Sequence, residues 1–94
     1  MDVETPPYVM RVSASSSPQS VAGSIRAIIF EMNQMPTIRA IGAGAVGQAC
    51  KGIAIARGYV APRGMDLAVT IGFETVNGDS GQEISAQVFH LFAR

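Results

Sequence analysis

The stretch Ile41–Gly52, IGAGAVGQACKG, constrains this chain more than any other. Four of its twelve residues are glycine and three are alanine. It follows a short β-prone segment, TIRAIG (Thr37–Gly42), and opens a helical pattern that continues to about Arg57. A strand entering a helix through so bare a turn lets backbone approach backbone closely. Gly42, Gly44 and Gly47 also spell G-x-G-x-x-G, the dinucleotide-binding fingerprint. The remaining requirements of that fingerprint fail. A dinucleotide site needs an acidic residue about 20 positions on, at the C-terminal end of the next strand. Asp66 has the distance but stands at the start of its strand, and Glu74 is too far along. A second mononucleotide-binding half is missing as well. No NAD or FAD is expected, and the glycines are read as a tight turn and a thin helix suited to close packing, including a dimer contact.

Around this stretch the elements alternate. YVMRVS (Tyr8–Ser13) reads as a first strand. Ser17 and Pro18 give an N-cap and an N1 residue for a helix to about Asn33. Its buried face is Val21, Ile25, Ile28, Ile29 and Met32, and Met35-Pro36 closes it. The second helix is expected to bury Val46, Ala49, Cys50, Ile53 and Ala54, with Gly58 and Pro62 as stop signals. MDLAVTIGFETV (Met65–Val76) and EISAQVFHLFA (Glu83–Ala93) flank the turn cluster NGDSGQ, which predicts a hairpin. Ile84, Ala86 and Val88 share one face of its second strand, and Phe89 and Leu91 the other. Apolar residues on both faces require cover on both, from the helices and from another subunit. The order β-α-β-α-β-β implies an α/β chain of the α+β two-layer sandwich type, with both helices on one face of a four-stranded sheet. Residues 1–7 read as a flexible tail and 8–94 as the single domain.

Charge is segregated although the net is zero. Between Thr5 and Arg63 six basic residues, Arg11, Arg26, Arg39, Lys51, Arg57 and Arg63, face Glu31 alone, a net +5. From Gly64 onward four acids oppose Arg94, a net −3. A basic half can set up a local positive field on a neutral protein. The single cysteine, Cys50, rules out an internal disulfide and reads as a small buried hydrophobe in a reducing compartment. The opening MDVETPPYVMR lacks the basic and apolar regions of a secretory signal, and no apolar run reaches the ~18 residues of a membrane span. A cytoplasmic protein is expected, and its 48% apolar content suggests an oligomer.

Both helices begin at the C-terminal edge of parallel strands, so SASSSP and GAGA should lie side by side. Two helix N-termini together, one lined with hydroxyls, form an anion site; ordinary caps and turns explain the same residues. His90 stands alone in an apolar strand and reads as a packed residue. Tyr8, Tyr59 and Phe30 could stack on bases, while Phe30 beside Arg26 equally suits a subunit contact. No metal spacing, triad or carboxylate pair points to an enzyme.

VSASSSPQSVAGSI, AIGAGAVGQACKGIAIARGYVAPRGMDL and the hairpin tail together resemble the stage V sporulation protein S family from about Val9 to Arg94. That family is similar in fold to the Alba superfamily, which implies sheet order 1-2-4-3 with the fourth strand antiparallel to the rest. The resemblance implies a bacterial protein of sporulation or development that binds nucleic acid. Two positions depart from the family's pattern: Ser15 stands where a lysine is common, and Gly47 where an asparagine is. Alba relatives use a basic hairpin arm on DNA. Here the tip is Asn77-Gly78-Asp79-Ser80-Gly81 between Glu74 and Glu83, and phosphates would repel it. Nucleic acid, DNA or RNA, is therefore expected at the body, through Ser15, Ser16, Ser17, Arg39, Gly42, Gly44, Lys51, Arg57 and Arg63. The alternatives are an oligomeric protein-interaction scaffold using the apolar hairpin and Phe30, and a sensor of a small phosphorylated ligand at the helix starts.

Overall fold

The structure is a computed structural model that describes residues 8–94. The expected N-terminal tail, residues 1–7, lies outside the described residues. The order is β1 (Val9–Val12), α1 (Pro18–Glu31), β2 (Thr37–Ala40), α2 (Ala43–Val60), a 3-10 turn (Ala61–Arg63), β3 (Leu67–Asn77) and β4 (Glu83–Ala93). The sheet order is β1-β2-β4-β3, with β1 and β2 parallel and β4 antiparallel to both its neighbours. No helix among the described residues is long and apolar enough to cross a membrane.

Each element follows from local chemistry. Ser17 caps α1 by accepting from the Ser20 amide at 3.1 Å, and Pro18 occupies the first turn, where its missing N–H costs nothing. Met10, Val12, Ile38, Ala40, Phe89 and Leu91 line the sheet face that the helices cover. Against them pack Val21, Ala22, Ile25, Ile28 and Ile29 of α1, and Ala45, Ala49, Ile53, Ala56 and Val60 of α2. Met32, expected in the α1 core face, is exposed, because the helix ends at Glu31 and Met32 is its C-cap.

The second helix differs more from its sequence pattern. It continues through Gly58 to Val60, and the chain turns only at Gly64, whose φ of +81° suits glycine alone. Its buried residues are Ala45, Ala49, Gly52, Ile53, Ala56 and Val60. Cys50 and Ala54, expected inside, are exposed, and Val46 is half-buried. The cause is composition: small apolar residues surround the whole helix, so the apolar stripe has little contrast. What orients α2 is its edge toward α1. A Cβ at Gly52 would sit 2.4 Å from Val21 Cγ1 and 3.3 Å from the Pro18 carbonyl oxygen. A Cβ at Gly44 would lie 2.9 Å from the Ala14 Cβ. Gln48, between them at helical spacing, donates to the Ser16 carbonyl at 2.8 Å.

The hairpin pairs without interruption from Leu67↔Ala93 to Asn77↔Glu83. Gly81, at φ +80°, shapes its turn, and the Gly78 amide donates to the Gln82 carbonyl at 2.7 Å. At its base Asp66 ties three segments together. Arg57 from α2 donates to Asp66 Oδ1 at 2.9 Å and to the Leu67 carbonyl at 2.9 Å, while Arg94 Nε donates to Asp66 Oδ2 at 3.0 Å. The hydrogen bonds from Arg57 and Arg94 hold the Asp66 carboxyl below its usual range.

Two outcomes follow. Gly52→Leu should push α1 and α2 apart and destabilise the fold by about 1–3 kcal/mol in urea unfolding, with partial recovery when Val21→Ala is added. An unchanged urea midpoint for the single variant would contradict the close approach. Asp66 has a lowered folded-state pKa, so its contribution is present above the unfolded value of about 4 and is lost as pH falls through the lowered one. The Tm gap between the wild type and Asp66→Asn should therefore be full at neutral pH and close on acidification. A gap independent of pH would refute the clamp.

Candidate functional site

Face assignment in the sheet follows from register. Met10, Val12, Ile38, Ala40, Phe89 and Leu91 look toward the helices, so the alternate residues look the other way. On that open face lie Arg11 and Arg39, paired across β1 and β2, then Val88, then Gly72. The next row carries Ala86 opposite Glu74. Arg39 Nη2 meets Glu74 Oε1 at 2.5 Å, an ion pair that spans β4 from β2 to β3. Ala86 and Val88 are buried here although both helices lie on the other face. The long side chains of Arg39 and Glu74 neighbour them and supply apolar stem as cover. The pair is a close ionic contact without hydrogen-bond geometry: Arg39 Nε and Glu74 Oε1 are both buried, and neither has a hydrogen-bond partner.

At the C-terminal edge of β1 and β2 the two helix starts do lie side by side, joined by the Gly44–Ala14 contact and the Gln48–Ser16 hydrogen bond. They are finished differently. The serine loop satisfies itself: Ser13 Oγ lies 2.9 Å from Ser15 Oγ, the Ser13 amide donates to Ser16 Oγ at 3.0 Å, and Ser17 caps α1. In contrast, α2 begins at Gly42 (φ +89°) with no side-chain cap. Its first-turn amides have neither intrahelical acceptors nor a capping oxygen. Gly42, Ala43 and Gly44 are exposed, and neither helix has an acidic residue in its first turn.

The expected binding residues divide accordingly. Ser15, Ser16, Ser17, Gly42 and Gly44 come together. Lys51, exposed, lies seven residues beyond Gly44 and so on the same side of α2, about 10 Å along the axis. Arg39 stands on the open face, beside the Ser13–Ala14 turn, with Glu74 as partner. Arg57 is about 20 Å from Gly44 along α2 and holds Asp66. Arg63 lies over the Phe30 ring, 4.0 Å from its centroid. Glu74, counted with the acidic tip, turns back to Arg39, which leaves Asp79 and Glu83 there. Asp66, the would-be fingerprint acid, is held by Arg57 and Arg94.

Sequence reasoning missed Arg11, Gln48, and Glu74 as the partner of Arg39. The first was findable: VMRV and TIRA each place arginine third, in the same phase of two neighbouring strands.

Known proteins give the arrangement its context. The family model described as stage V sporulation protein S (SpoVS) matches residues 8–94. Among solved structures, Alba from Thermoplasma volcanium has the same fold at a TM-score of 0.61 and 20% identity, over 92% of this chain and 99% of that one. The mixed four-stranded sheet backed by two helices is thus Alba-like, as the sequence led us to expect. With one family model spanning nearly all of it, the chain belongs to the stage V sporulation protein S family.

Proposed function

We propose that this protein is a non-enzymatic, cytoplasmic regulator of sporulation or development that binds nucleic acid through its body and works as a homodimer or higher oligomer. The observation that carries the reading is the uncapped start of α2 at Gly42–Gly44, beside the serine loop and in line with Lys51. Free first-turn amides and the positive end of the helix dipole attract a phosphate, and Lys51 can neutralise a second one further along the backbone. Such contacts position a nucleic acid without reading its bases. The family's fold relationship to the Alba superfamily supports the same reading.

Arg57 and Arg63 act in this reading through the local positive field, since their guanidiniums serve Asp66 and Phe30. Arg39 contributes less than an unpaired arginine would, because Glu74 offsets its charge.

A scaffold role draws on a separate feature. Ile71 and Phe73 lie on the same sheet face as Phe89, yet they are 61% and 75% exposed, because they stand on the edge strand β3, beyond the cover of the helices. Phe92 is exposed on the opposite face. These side chains suit a contact between subunits or with a protein partner.

The two readings separate by salt. Fluorescence anisotropy titrations with duplex DNA and single-stranded RNA at two salt concentrations should show affinity falling steeply as salt rises. Lys51→Glu should weaken binding to all sequences alike and reduce the log–log salt slope on duplex DNA by roughly 0.9 for the lost contact. No binding at low salt, or a Lys51→Glu protein with an unchanged slope, would put the scaffold role first.

A further inference from the structure

Among the described residues the sheet ends on one side at β1, four residues long, and on the other at β3, eleven residues long, whose one neighbour is β4. Two bonds fix which way the backbone of β3 points. The Arg94 amide donates to the Asp66 carbonyl at 2.8 Å at one end of the hairpin, and the Gly78 amide to the Gln82 carbonyl at 2.7 Å at the other. Between them the ladder runs unbroken from Leu67↔Ala93 to Asn77↔Glu83. Bonded and non-bonded positions alternate in an antiparallel ladder, so the even-numbered residues of β3 bond to β4 and the odd-numbered ones turn N–H and C=O outward. The Leu67 carbonyl, first of these, is taken by Arg57 Nε. From Val69 onward no strand covers them. Ile71 and Phe73, the two most exposed large hydrophobics among the described residues, stand on the same stretch. Sheet edges are normally blunted by proline, lysine, a bulge or a charge. This one has no proline, lysine, arginine or bulge, and its single charge, Glu74, turns inward over β4 to Arg39.

We propose that β3 pairs edge to edge with β3 of a second copy of this chain, antiparallel about a two-fold axis at Gly72, so that two four-stranded sheets join into one. The inference rests on the oligomer reading above and names the surface and the register of the contact. Gly72 is the midpoint of Leu67–Asn77, so this register pairs the strand over its full length. The side chains agree with it. Ile71 and Phe73 share the helix-side face, and each stands opposite the other across the axis. The four together fill the space between the two helical layers, and such cross-strand apolar pairs are what stabilise a ladder. On the open face Glu74 falls opposite Thr70, which keeps the two Glu74 residues about 13 Å apart along the strands. An axis at Phe73 would set each Glu74 diagonal to its own copy, where like charges repel. An axis at Ile71 would leave Val76 and Asn77 beyond the end of the partner strand. A strand complementary to itself is what a two-fold contact requires, and this selects a second copy over an unrelated extended peptide.

Sedimentation velocity on the full chain at micromolar concentration, combined with disulfide trapping, tests it. The wild type should sediment as a dimer or a multiple of one. Phe73→Lys should weaken association at least tenfold while keeping its far-UV circular dichroism spectrum, because the side chain it replaces is exposed. The register is read in a Cys50→Ser background, which removes the one native thiol. Gly72 bonds to β4, so across the axis it forms a non-hydrogen-bonded pair with its own copy, with Cα atoms about 4.5 Å apart and within disulfide reach. A Cβ there meets nothing within 4 Å inside the subunit. Gly72→Cys should therefore form a disulfide-linked dimer in a glutathione redox buffer. Thr75→Cys, about 20 Å from its own copy along the strands, should not. An oligomer that persists in Phe73→Lys and gives no Gly72→Cys dimer would overturn this interface and leave the oligomer reading standing. A wild type that is monomeric throughout would overturn both. Trapping at Thr75→Cys in place of Gly72→Cys would overturn the register.

Discussion

The proposed nucleic-acid surface depends on how closely α2 approaches α1 and the serine loop that leads into it. The approach is set by two bare positions on one edge of α2, Gly44 against Ala14 and Gly52 against Val21, with the Gln48 side chain fastened to the Ser16 carbonyl between them. At Gly52 even a methyl group would meet a β-branched side chain and a backbone carbonyl. Of the three glycines that mimic a nucleotide fingerprint, Gly44 serves close packing and Gly42 the positive-φ turn into the helix, while a Cβ at Gly47 would meet nothing within 4 Å. The consequence of the close approach is geometric: two helices that touch along this edge must begin side by side, and the start of α2, lacking a capping side chain, presents its amides outward.

The other face of the sheet obeys a different constraint. With both helices on one side, the open side needs its own cover for Ala86 and Val88. The Arg39–Glu74 pair spans that row and links the parallel half of the sheet to the hairpin. A half-buried, partly solvated ion pair contributes little to stability in itself. Its value here lies in position. It turns Glu74 away from the hairpin tip, and it leaves Arg39 Nε and Glu74 Oε1 buried without hydrogen bonds.

Much of the fold was legible in the sequence where chemistry is local. Ser17-Pro18 set the start of α1, and NGDSGQ the hairpin turn. β4 has the bounds its alternation predicts. The α2 face was not legible. Alanine, glycine and cysteine recur on every side of that helix, so periodicity could not separate the side that meets α1 and the sheet from the side that meets solvent, and Cys50 was placed inside. Gly58 was read as a stop, but a glycine ends a helix only where the left-handed conformation is used, and that happens at Gly64. Of the candidate site, the adjacency of the two loops followed from parallel topology. The division of the basic residues did not, because Asp66, Glu74 and Phe30 claim three of them from distant parts of the chain.

Amide chemical-shift mapping by NMR, with a short DNA duplex and a single-stranded RNA titrated into the labelled full chain, tests the functional claim most directly. Perturbations concentrated at residues 42–47, reaching Lys51 and the serine loop at 13–17, are the expected result, with the hairpin tip at 77–82 unmoved. Shifts confined to the hairpin, or none in either titration, would contradict a nucleic-acid surface built on the paired helix starts.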